Sequence, residues 1–147
     1  MIEIINNISH LSDTDLQSIL EIYLMNQEQD YIKRYVRNEI ELREKFSNLG
    51  EDRTLFLFRE TDKGIKGFLV LSRPNILSLI LVHPTHHQKQ IGSNLISYLQ
   101  SKTESIKTII DALNTKGIEK LLKKNGFRIS KSVWIWKRSY STSEVEL

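Results

Sequence analysis

Apolar residues change their spacing repeatedly along the chain, and each change marks an element. Ile2–Ile5 is a short branched run and reads as a strand. Leu16, Ile19, Leu20, Tyr23 and Leu24 then recur at the spacing of one helical face, with Ser12 or Asp13 placed to cap the helix. A second helix is predicted over residues 30–48, with Ile32, Tyr35, Val36, Ile40 and Phe46 as its apolar stripe. The pattern then shifts to strands. Residues 54–59 (TLFLFR) and 65–72 flank the turn Thr61-Asp62-Lys63-Gly64 and read as a hairpin. After a turn at Arg73-Pro74-Asn75, the run Ile76–Val82 is nearly all apolar, which suits a strand covered on both faces. Ile91, Leu95, Ile96 and Leu99 form the inner side of a helix over residues 91–100. A strand at 108–112 follows, then a helix over 115–124 that Asn125-Gly126 ends. Residues 127–129 and 133–137 are the last strands, with Trp134 and Trp136 on one face. The order β-α-α-β-β-β-α-β-α-β-β predicts an α/β fold, one mixed sheet flanked by helices.

The length of 147 residues suits one domain, assigned to residues 1–140 with a fraying tail at 141–147. No cysteine occurs, which excludes disulfides, thiolate zinc sites and a cysteine nucleophile. The start MIEIINNISH lacks the pattern of a secretion signal, and no apolar run approaches the ~18 residues of a membrane span. The expected location is therefore the cytoplasm, with no membrane partner. The charge is divided. Residues 1–60 hold 7 Lys/Arg against 12 Asp/Glu, and residues 61–147 hold 14 against 6. The basic second half can attract a polyanion through its summed field. No sequence-reading helix or exposed aromatic platform accompanies it, which sets nucleic acid behind a phosphorylated small molecule as partner.

The segment with most chemistry is LILVHPTHHQKQIGSNLISYL, residues 79–99. A buried strand runs through a polar loop into a helix. The first turn of a helix leaves amide N–H groups unpaired, and with the helix dipole they form an anion site. Gly92 keeps the backbone approachable, Lys89 adds positive charge and Ser93 adds a hydroxyl. His83, His86 and His87 lie near, but no acid accompanies them at a zinc spacing, so no metal is expected.

Val82-His83-Pro84 followed by His87-Gln88-Lys89-Gln90-Ile91-Gly92-Ser93-Asn94-Leu95 resembles the acetyl-CoA-binding motif of the GNAT superfamily of N-acetyltransferases, roughly V-x-P-x-x-(Q/R)-x-x-G-x-(G/A)-x-x-L. Residues 114–127 (NTKGIEKLLKKNGF) are similar to the family's N-x-x-A-x-x-x-Y-x-x-x-G-F segment, and the element order is similar throughout. The resemblance implies a GNAT-like acyltransferase fold and an N-acetyltransferase that moves an acetyl group from acetyl-CoA, its co-substrate, to a primary amine in a ternary complex. It places the diphosphate on His87, Gln88, Lys89, Gln90, Ile91, Gly92 and Ser93, and the pantetheine arm along Leu81 and Val82. Asn114 and Lys120 are further cofactor contacts under the same reading, with Lys120 or Lys123 towards the 3′-phosphate. The acceptor is a small molecule or the amine of a peptide or protein, and a homodimer stays open.

The chain departs from the family pattern at His87, at Gln90, which replaces a loop glycine, and at Leu122, where the family often has a proton-donating tyrosine. The strand at 76–82 carries Ser78 as its one polar residue, and Asp111 is the nearest acid by sequence; these two are the candidate catalytic residues. Each feature also has a plainer reading: Asp111 as a salt-bridge partner, Asn114 as a helix cap, Gly117 as a packing glycine, the tryptophans as core, Lys120, Lys123 and Lys124 as a solvated face. The departures leave open a CoA-binding module of the same fold without turnover.

Overall fold

The computed structural model describes residues 1–26, 36–60, 64–84, 90–109 and 117–140. Among them, β1 (Ile2–Ile5), β2 (Arg53–Glu60), β3 (Gly64–Ser72), β4 (Ile76–Val82), β5 (Ser105–Ile109), β6 (Arg128–Ser130) and β7 (Val133–Lys137) form one sheet. Its order is β1-β2-β3-β4-β5-β7-β6. Neighbours pair antiparallel except β4 and β5, which run parallel. The sheet is thus mixed, and the α/β class read from the element order holds.

Helices cover both faces. Strand alternation sends Leu55, Leu57, Phe68, Val70, Leu79 and Leu81 to one side, against Leu16, Ile19, Ile22 and Tyr23 of α1 (Asp13–Asn26) and Leu42 of α2 (Glu39–Lys45). Phe56, Leu69, Leu77, Ile80, Ile106, Trp134 and Trp136 point the other way. There they meet Ile91, Leu95, Ile96 and Leu99 of α3 (Ile91–Lys102) and Ile118 and Leu122 of α4 (Ile118–Lys124). Both tryptophans are core residues, as their shared face suggested.

Local chemistry sets the helix starts. Ser12 Oγ accepts from the Asp15 amide at 3.0 Å while Asp15 Oδ2 accepts from the Ser12 amide at 3.2 Å, a reciprocal capping box. The expected second helix is shorter at its described end. Asn38 is extended (φ −155°, ψ 175°) and its side chain accepts from the Glu41 amide, so α2 begins at Glu39. Residues 27–35 lie outside the described residues. Ile40 is 71% exposed, and Val36, Leu42 and Phe46 carry the burial instead. On α1, Leu24 is exposed and Ile22 takes its place in the core. β5 begins at Ser105 rather than 108, because Ser105 and Lys107 pair with β7 while their polarity hides the strand from an apolar count.

Candidate acyl-CoA site

β4 is the strand from which the site is built. Its register with β3 jumps from Val70↔Leu79 to Leu71↔Leu77, which leaves Ser78 as the extra residue of a bulge. The bulge puts Leu77 on the α3 side although Leu79 and Leu81 face α1. The Ser78 hydroxyl donates to Val70 O at 3.1 Å and shares a hydrogen bond with Ser72 Oγ at 3.0 Å. Further along, the His83 amide donates to Lys66 O at 2.8 Å. Antiparallel ladders alternate, so Leu81 directs its polar backbone groups to Phe68 of β3, and Ile80 and Val82 direct theirs to the edge on the β5 side. The strand position offered to a ligand on that edge is therefore Ile80 and Val82 rather than Leu81.

Among the described residues, β5 pairs with that edge at its base. The Lys107 amide donates to Asn75 O at 3.0 Å, and Ile76↔Lys107 is the one β4–β5 register pair among the described residues. Asn75 Nδ2 donates to Ser105 Oγ at 2.7 Å, which ties the strand starts together. One residue beyond the pair, the fully buried Thr108 hydroxyl donates to Leu77 O at 2.8 Å. A side chain here adds a bond between the two strands.

α3 begins beside β4. Gln90 is its N-cap, exposed, in the left-handed region (φ 59°, ψ 24°), and its side chain makes no capping bond. The amides of Ile91, Gly92 and Ser93 have no carbonyl four residues back within the helix. The helix start lies close against the sheet. A Cβ on Gly67 would stand 2.9 Å from Ile91 Cγ2 and 3.3 Å from Leu81 O. A Cβ on Gly92 would meet Leu121 Cδ2 at 3.2 Å and Val82 Cγ2 at 3.8 Å. The bare side of Gly92 thus faces α4 and β4; it admits close packing, where the sequence suggested access for an anion. Ser93 Oγ accepts from Asn125 Nδ2 at 3.3 Å, and Asn125 Nδ2 also donates to Leu121 O at 2.8 Å, which joins α3 to the end of α4.

α4 starts at Ile118. Gly117 is its N-cap at φ 83°, with open space where a Cβ would sit, so backbone angle rather than packing calls for glycine there. Lys120 is exposed. Leu122 is fully buried in the core, and Leu121 is the residue that reaches Gly92 beside Val82. His87, Gln88, Lys89, Asp111 and Asn114 lie outside the described residues. Among the described residues, no group of three His, Cys, Asp or Glu side chains stands together as a metal site. None of the described helices is long and apolar enough to cross a membrane.

Sequence reasoning missed two residues of this region. Thr108 and Asn26 are the buried polar residues among those described. Asn26 falls on the inner face of α1, three and four positions after Tyr23 and Ile22; a polar residue at core spacing was the available signal.

A helix start without a side-chain cap, set beside the outward-facing backbone groups of Ile80 and Val82, suits a ligand with a diphosphate and an amide-bearing arm. The sequence pattern described as Acetyltransferase (GNAT) domain matches residues 19–134, and the chain belongs to that family. Among curated proteins none matches. Solved structures share the fold at low identity. A GNAT superfamily phosphinothricin acetyltransferase from Sinorhizobium meliloti, in complex with AcCoA, is 16% identical with a TM-score of 0.68, over 92% of this chain and 88% of that one. The ribosomal-protein-S18-alanine N-acetyltransferase from Escherichia coli is 17% identical with a TM-score of 0.61, over 92% and 91%.

Proposed function

We propose that the protein is an N-acetyltransferase that uses acetyl-CoA to acetylate a primary amine, on a small molecule or on a peptide or protein. The observation that carries this reading is the outer edge of β4, which directs the backbone groups of Ile80 and Val82 away from β3 beside the uncapped start of α3. When bound, acetyl-CoA supplies an activated acetyl thioester. The amides of Gln90, Ile91, Gly92 and Ser93, with His87, Gln88 and Lys89 just before them in sequence, hold the diphosphate. Ile80 and Val82 present the strand edge to the arm, and Leu81 supports them from within the sheet. Asn114 and Lys120 stand towards the nucleotide end. Asp111 takes the amine's proton, directly or through water, because only the neutral amine has a lone pair to attack with. Ser78 holds the bulge that fixes the edge, since its proton is engaged by Val70 O.

The transfer forms a C–N bond to the amine and breaks the C–S bond. The leaving thiol has an ordinary pKa of about 8.5, so it departs as thiolate without an obligatory acid. One observation favours a second reading, a CoA-binding module without turnover: Leu122 stands where the family often has a proton-donating tyrosine, and its neighbour Leu121, which reaches Gly92, cannot donate a proton either. Calorimetry with acetyl-CoA, followed by thiol release across a panel of amines, tests both. Binding with turnover supports the enzyme, binding without turnover supports the module, and no binding at millimolar ligand overturns both.

A further inference from the structure

Asn26 is 3% exposed at the last turn of α1, yet its amide is not spent on α1 alone. Nδ2 donates back to Ile22 O at 2.7 Å and across to Val82 O at 3.2 Å. The peptide group joining Val82 to His83 is held from its other edge as well, where the His83 amide donates to Lys66 O at 2.8 Å. A peptide is planar, so hydrogen bonds at its carbonyl and at its N–H together fix its tilt. This is the peptide at which β4 ends. Its carbonyl lies on the edge of β4 that faces away from β3.

We propose that Asn26 is a positioning residue for acyl-CoA, setting the orientation of the Val82–His83 peptide against which the thioester arm lies. The inference rests on the acetyl-CoA reading above. A leucine would fill the same space in this apolar setting without an amide to satisfy. The amide fixes a backbone group at the end of that edge instead. Asn26 works from the α1 side of the sheet, whereas the first turn of α3 lies on the opposite side. Contacts with the arm and contacts with the phosphates are therefore separable.

Two variants test this. Asn26→Leu removes both bonds. Asn26→Ser keeps a hydroxyl that can bond back to Ile22 O but is too short to reach Val82 O. Each is titrated with acetyl-CoA and with 3′-phosphoadenosine 5′-diphosphate, which carries the phosphates and no arm. The expected result is about tenfold weaker acetyl-CoA binding, the size of one lost hydrogen bond, with the armless nucleotide unchanged. Faster hydrogen exchange at the His83 amide should accompany it in the free protein. Equal weakening of both ligands, or acetyl-CoA binding that matches wild type in a folded variant, overturns the inference. If wild type itself binds neither ligand, the acetyl-CoA reading falls and this inference falls with it.

Discussion

Gln90 occupies a backbone conformation that L-residues avoid, because the left-handed region brings Cβ against the carbonyl and costs about 1–2 kcal/mol. The family pattern carries glycine at this place, and a glycine would sit there without strain. Gln90→Gly should therefore raise stability by about 1 kcal/mol after the larger unfolded-state entropy of glycine is subtracted, a rise of ~2–4 °C in Tm. A variant less stable than wild type in a thermal melt would show that the glutamine makes compensating contacts. A second residue-scale prediction concerns Asp15. Burial opposes its ionisation, but the hydrogen bond from Arg59, the Ser12 amide and the Arg59 charge outweigh burial and hold its carboxyl below the ordinary value. A depressed carboxyl adds stability above its unfolded pKa and loses it as pH falls through the folded one. Asp15→Asn should lose about 1 kcal/mol at pH 7, and urea melts of the two proteins should converge below about pH 4. A gap that persists unchanged to pH 3 would refute the electrostatic account.

Elements were legible where side chains report on burial. The β2–β3 hairpin, β4, α3 and β7 stand where the apolar spacing puts them, because each buries a continuous face. What the spacing could not show was set by backbone chemistry. Asn38 breaks the expected second helix through a capping bond, and Ser78 inserts a bulge that leaves no trace in hydrophobicity. The register of α4 is the telling case for the site. Counting forward from Asn114 puts the family tyrosine position at Leu121; counting back from Gly126 puts it at Leu122. The structure separates them, since Leu122 is core and Leu121 touches the ground between Gly92 and Val82. Leu121→Tyr should thus fold and, if the protein turns over, raise kcat for poor thiol leaving at pH values below about 8 by supplying a donor. Leu122→Tyr should lose about 1–3 kcal/mol by burying an unpaired hydroxyl. The reverse pattern, a stable Leu122→Tyr with raised kcat, would assign the position to Leu122.

At the scale of the molecule, the sheet is two antiparallel ladders that one parallel register pair joins among the described residues. β1 to β4 form a continuous antiparallel ladder under α1 and α2, and β5, β7 and β6 form a second ladder. Between them stand the Ile76↔Lys107 pair, the Asn75–Ser105 bonds and the Thr108 hydroxyl, and α3 and α4 span the joint on one face. The net +8 of residues 61–147 lies on the half that includes α3, α4 and the second ladder, which favours an anionic ligand there. A ligand that lies along β4 and across the start of α3 binds only when these parts are assembled, so it should stabilise the whole fold by mass action. At a hundred times its Kd, acetyl-CoA should add about 2.7 kcal/mol. For a chain of this length that is ~5–10 °C in Tm. The shift should shrink with added salt, because the diphosphate is drawn by charge that ions screen within about 10 Å at 0.1 M. A Tm that stays put under saturating acetyl-CoA at low salt would mean that the edge of β4 beside the start of α3 holds no ligand of this kind.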